Sequence, residues 1–167
     1  MRPNLMPQNL MTSNLMPLSR RSLLSLSLSA LMLAACGGGT PPKLEPASGD
    51  TPEMHALIKK WARIHDIPES LLHRQIRRES GYNPKARNGP YYGLLQIHPQ
   101  TAATMGYHGP ASGLLDAETN LQYAGKYLRG AWLVSRGNED RAMMWYAKGY
   151  YYEAKRMGLL NETGLRG

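Results

Sequence analysis

Phenylalanine is absent from this chain of 167 residues, and cysteine occurs once, at Cys36. A single cysteine excludes an internal disulfide, so the fold must rest on packing and hydrogen bonds. A core without phenylalanine takes its aromatic bulk from ten tyrosines and three tryptophans, whose polar ends need partners when buried. The apolar run Ser22–Ala35 is shorter than the roughly 20 residues a membrane-spanning helix requires. Acidic residues are few, 12 against 20 Lys and Arg, for a formal charge of +8. There is no glycine-rich phosphate loop. The five histidines (55, 65, 73, 98, 108) show no HExxH-type spacing, so no metal site and no cofactor are expected.

What is present first is an address. Arg20-Arg21 precede the uncharged serine-leucine run, which ends in Leu33-Ala34-Ala35-Cys36. A positive segment, a short apolar segment and small residues before a cleavage point form a secretory signal. Asn-Leu-Met recurs at residues 4–6, 9–11 and 14–16, and we read this as sequence ahead of a true start at Met16. Ser19–Leu24 loosely resembles a twin-arginine export signal, although the general secretory route is favoured. Leu-Ala-Ala-Cys resembles a bacterial lipobox, which implies that residues 1–35 are removed and that Cys36 carries lipid at the new amino terminus. Gly37 in place of an aspartate fits delivery to the outer membrane rather than retention at the inner one.

Residues 36–52 then hold the lipidated cysteine and a linker. Its glycines keep it flexible and its four prolines extended, with a reach of about 50 Å when stretched. Residues 53–167 are expected to form one domain, near the commonest single-domain size. Removing Arg2, Arg20 and Arg21 leaves 17 basic and 12 acidic residues, or +5. That charge suits an anionic polymer such as peptidoglycan with its peptide carboxylates. Nucleic acid would fit the charge equally, but a cell-envelope address argues against it. Nothing in the sequence points to a protein partner.

Chemistry is concentrated at Glu79, in Arg78-Glu79-Ser80-Gly81-Tyr82-Asn83-Pro84. Pro68 and Glu69 suit the start of a helix, and Gly81 suits its end. At 100° per residue, Leu72, Gln75, Ile76 and Glu79 share one face while Arg74, Arg77 and Arg78 face the other way. Glu79 therefore projects from the apolar stripe, where burial should raise its pKa. A carboxyl group that keeps its proton near neutral pH can protonate a glycosidic oxygen. A glutamate at a frayed helix end, bonded to nearby amides, would leave the same pattern.

The surrounding motifs narrow that choice. Glu79-Ser80, the Asn83-Pro84-x-Ala86 turn and Gly93-Leu94-Leu95-Gln96 resemble the opening motifs of lytic transglycosylases of the SLT type, relatives of goose-type lysozyme. Asp116, Asn120, Gly125, Tyr127 and Leu128 resemble that family's "D…N…G.YL" helix, and Trp145-Tyr146-Ala147-Lys148-Gly149 its "AYNxG" motif. The resemblance covers about residues 54–150. It departs at Ala147, where the family has asparagine, and at Trp145, where it has alanine. The resemblance implies a mainly α, lysozyme-like domain with an irregular or short β segment at its site. It also implies cleavage of the β-1,4 bond between N-acetylmuramic acid and N-acetylglucosamine, leaving 1,6-anhydro ends. Glu79 would be the acid and then the base. Ser80, Gly93, Leu94, Gln96 and Tyr146 would bind substrate, with the Tyr146 hydroxyl able to support Glu79. Two other readings stay open: a hydrolytic muramidase, and a non-catalytic peptidoglycan-binding lipoprotein suggested by Ala147.

The remaining pattern predicts helices over about 51–65, 68–80, 99–105, 117–135, 139–148 and 150–157. Leu57, Ile58, Trp61 and Ile64 form the inward face of the first. A short hairpin is expected around Tyr91–Ile97. Tyr91, Tyr92, Trp145 and Tyr150–Tyr152 could stack on sugars, but most are expected to fill the core.

Overall fold

A computed structural model describes residues 49–165. The signal segment, Cys36 and all but the end of the linker lie outside the described residues. The fold is mainly α, as expected: six helices in the order α1 (Pro52–Ile64), α2 (Glu69–Ser80), α3 (Pro99–Thr104), α4 (Ala117–Val134), α5 (Glu139–Lys148) and α6 (Tyr151–Met157). Two short strands, β1 (Arg87–Asn88) and β2 (Tyr91–Tyr92), lie between α2 and α3, and a 3₁₀ turn (Ala111–Leu115) precedes α4. Among the described residues no helix is long and apolar enough to cross a membrane.

Capping chemistry sets the boundaries. The Thr51 hydroxyl accepts from the Met54 amide at 3.2 Å ahead of Pro52, satisfying a donor the first turn cannot. Asp116 does the same for α4, accepting from the Thr119 amide at 2.8 Å and its hydroxyl at 2.9 Å. These bonds hold the Asp116 carboxyl below its usual range. Gly81 ends α2 with φ +57°, a conformation open to glycine at little cost. Tyr82 follows at φ +66° and is 2% exposed. Its buried ring and its hydroxyl, 3.0 Å from His73 Nδ1, fix that strained turn.

Helix α4 is the spine. Asn120, Leu121, Ala124, Gly125, Leu128, Ala131 and Val134 recur every three or four residues and are buried, and α4 packs against α1, α3, α5 and α6. Leu71, Leu72 and Ile76 of α2 and Ile58 of α1 complete a core from which solvent is excluded. Each such side chain contributes about 1.5–3 kcal/mol relative to exposure. Ile64 corrects the expected inward face of α1: it is 57% exposed. The helix ends there, and His65 takes the buried place. The His65 imidazole stacks on Trp61 at 5.2 Å and bonds the Leu121 carbonyl at 2.9 Å through Nε2. It occupies room left by Gly125, whose hypothetical Cβ would lie 2.6 Å from the ring.

The pairing expected around Tyr91–Ile97 is present, with a further strand ahead of it. Strand β1 pairs with β2 in antiparallel register, Arg87 opposite Tyr92, and Tyr92 then bridges to Ile97. Gly49, where the described chain begins, is packed so tightly on the Tyr82 backbone that an added Cβ would lie 2.8 Å from the Tyr82 carbonyl carbon.

Candidate active site

Glu79 is the penultimate residue of α2, and its side chain is 22% exposed. Two groups approach the same oxygen, Oε1. The Gln75 amide donates from Nε2 at 2.8 Å, and the Arg78 guanidinium lies at 3.3 Å through Nε and 3.2 Å through Nη2. Gln75 is one turn earlier on the buried face and is fully enclosed. No hydrogen bond among the described residues reaches Glu79 Oε2.

Glu79 opens into a two-lobed cleft. The lobe of about 400 Å³ at the acid is lined by Arg78, Glu79, Asn88, Tyr91, Gln96, Tyr146 and Ala147. A second lobe of about 340 Å³ shares Tyr91, Gln96, Tyr146 and Ala147 and continues past His98, Gln100 and Lys148. Ala147 stands at the waist between them. No other aspartate or glutamate lines either lobe.

The wall opposite α2 is the segment after β2. Gly93 (φ +74°) and Gln96 (φ +45°) both take left-handed backbone, turning the chain back so that Tyr92 and Ile97 pair. Gln96 Nε2 donates to the carbonyls of Gly93 at 2.8 Å and Ala86 at 3.1 Å, which braces the turn and leaves Oε1 with no donor among the described residues. Asn120, wholly buried on α4, holds the segment from below. It accepts from the Leu95 amide and donates to the carbonyls of Tyr92 and Leu114, each at 2.9 Å. Gly93 must be glycine for this: an added Cβ would lie 2.8 Å from Asn120 Cγ.

Tyr146 comes up from α5. Its hydroxyl donates to the Leu95 carbonyl at 2.7 Å, so it braces the wall and does not bond Glu79, contrary to the support expected from it. Burial, with the Glu79 charge as a second cause, pushes the Tyr146 phenol well above its usual range; it stays neutral and donates. Tyr127 stands edge-on to it at 5.2 Å.

Of the site residues named from sequence, Glu79, Gln96 and Tyr146 converge on the cleft. Ser80, Gly93 and Leu94 line neither lobe. The Ser80 hydroxyl turns back to the Ile76 carbonyl at 3.2 Å, Gly93 is packed on Asn120, and Leu94 is wholly in the core. Tyr91 is 45% exposed and lines both lobes, available for stacking, whereas Tyr150 is buried with its hydroxyl on the Tyr127 carbonyl. Asn88 was not foreseen in the cleft, and no local pattern marks it. Gln75 had a signal, a polar residue on an apolar stripe four positions before the acid.

The described residues thus form a mainly helical domain that sets one carboxylate, at the end of α2, over a cleft walled by a braced loop. The chain belongs to the transglycosylase SLT domain family, whose model matches residues 56–157. The soluble lytic murein transglycosylase of Escherichia coli strain K12 is 36% identical over 81 residues, covering 44% of this chain and 12% of the relative. The protein of the same description from Escherichia coli O157:H7 matches to the same extent. This chain thus spans a small part of the length of those relatives. No solved structure matches it.

Proposed function

We propose that this protein is a lytic transglycosylase that cleaves peptidoglycan strands between N-acetylmuramic acid and N-acetylglucosamine, with Glu79 as its single acid and base. The observation that carries this reading is one carboxylate in a two-lobed cleft lined by no second one. Glycosidases of the two-carboxylate type place a partner acid within about 10 Å across the bond, and neither lobe offers one. In the proposed reaction the Glu79 proton passes to the glycosidic oxygen as the bond to the anomeric carbon breaks. The resulting carboxylate then takes the proton of the muramic acid 6-hydroxyl as that oxygen bonds the same carbon. Glu79 ends as it began, and no water is consumed. The intramolecular attack depends on holding the hydroxyl within reach, a task we assign to Gln96 and Tyr91 on the cleft wall. Lys148 and Arg78 suit the carboxylates of peptide stems.

With the lipobox-like segment at Cys36, the same reading places the domain outside the cytoplasm, tethered by lipid at the envelope and facing the periplasm. The test is mass analysis of products from purified sacculi. The wild type should release muropeptides ending in 1,6-anhydro sugars, and Glu79→Gln should release none while keeping its fold and glycan binding. Reducing ends from the wild type would replace this reading with a hydrolase. Substantial turnover by Glu79→Gln would end the single-acid mechanism.

A further inference from the structure

Gln75 sits where the pattern calls for an apolar residue. Its neighbours along the buried face of α2 are Leu71, Leu72 and Ile76, all wholly enclosed, and its own side chain is too. One end of its amide bonds the acid, Nε2 to Glu79 Oε1 at 2.8 Å. The other end is an orphan: Gln75 Oε1 is buried with no hydrogen-bond partner among the described residues. A buried carbonyl oxygen without a partner lowers stability, and an apolar side chain of similar shape would remove that cost. The residue is therefore poorly explained by stability and well explained by what its other end does.

We propose that Gln75 is the positioning residue that decides which oxygen of Glu79 carries the transferable proton. This rests on the reading of Glu79 as the acid. A glutamic acid can hold its proton on either oxygen, and only one placement serves a substrate. Glu79 Oε1 already accepts the Gln75 N–H and faces the Arg78 guanidinium. A proton there would set donor against donor. Glu79 Oε2 meets no protein donor among the described residues, so the proton goes to it. Gln75 keeps the same bond in both stages, to the carbonyl oxygen of the acid and to the carboxylate that follows, so nothing in the protein rearranges between donating and accepting the proton. Arg78 cannot substitute, because its side chain is 44% exposed and its charge is shared with water.

The experiment compares full-length wild type with Gln75→Met and Gln75→Leu, which keep the bulk and remove the amide. Turnover on purified sacculi should fall about 10- to 100-fold, the scale of a misplaced reacting group, with KM held within about twofold. The melting temperature should change little, because relief of the orphan carbonyl offsets the lost bond to Glu79. Losing an N–H donor favours the neutral acid, so the alkaline limb of the kcat profile should move to higher pH. Turnover within about twofold of wild type in the folded variants would overturn the proposal. So would a loss of activity accompanied by a matching loss of stability with no shift in the pH profile. Glu79→Gln is measured alongside. If it remains active, the acid reading fails and Gln75 with it; if it is dead while the Gln75 variants are unimpaired, the Gln75 role alone fails.

Discussion

Asn120→Ala should unfold the cleft wall before it touches any chemistry. The amide makes three bonds inside the core, with the Leu95 amide and the carbonyls of Tyr92 and Leu114. The Tyr92 carbonyl would keep a partner, since it also accepts from the Ile97 amide at 3.1 Å. The Leu95 N–H and the Leu114 carbonyl have no such alternative among the described bonds and would be left buried and unpaired. Two orphaned groups cost about 1–3 kcal/mol each and the third lost bond about 1 kcal/mol. Water entering the vacated space offsets part of this, which brings the expectation to about 3–5 kcal/mol. Against the 5–15 kcal/mol typical of a domain, that is a large fraction of the whole. Urea unfolding followed by circular dichroism should show the midpoint falling with little change in slope. Asn120→Asp keeps the acceptor for Leu95 but turns an oxygen toward two carbonyls, so it should be no milder. A loss below about 1 kcal/mol in Asn120→Ala would refute the reasoning, because it would mean that the three bonds contribute no more than one ordinary bond does.

Gly93→Ala should cost about 2–4 kcal/mol, from left-handed strain and the collision with Asn120, and chemical denaturation would measure it. His65 titrates below its ordinary value, chiefly because burial penalises the imidazolium. The unfolded chain therefore takes up the proton first, and stability present above about pH 6.5 is lost as the pH falls through that value toward the folded one. His65→Gln, which can still donate to the Leu121 carbonyl, should flatten the pH dependence of the urea midpoint; an unchanged slope would assign it elsewhere. Cys36→Ala should release the protein from the membrane fraction and abolish incorporation of labelled fatty acid, with activity on sacculi retained. Membrane association that survives the substitution would count against the lipid anchor.

Much of the helical frame was legible because local chemistry carries it: Thr51-Pro52, Asp116 and Gly81 each mark an end within their own few residues. The phase of α2 likewise placed Glu79 beside the buried stripe. What escaped was long-range or too short to be periodic. Strands of two residues carry no alternation, so the pairing of Arg87–Asn88 with Tyr91–Tyr92 escaped while the expected Tyr92–Ile97 pairing formed, and the 3₁₀ turn before α4 left no signal. Ile64 looked like core by spacing, but the packing of His65 on Trp61 and Gly125 depends on a helix some 60 residues away. The Tyr146 motif was visible, yet its hydroxyl bonds a backbone carbonyl that no side-chain pattern reveals. Asn120 stood out within its helix, but its partners (Tyr92 in β2, Leu95 after it and Leu114 in the 3₁₀ turn) lie where sequence spacing cannot align them.

Gly49 has a mechanical consequence. The chain enters the described fold pressed against the backbone of Tyr82, three residues past Glu79, at the turn that ends the helix bearing the acid. Tension along any upstream tether would reach that turn first. Immobilising the protein through its amino-terminal side therefore loads the Glu79 end of α2, while attachment after α6 does not, and turnover compared between the two mountings would report how stiff that turn is.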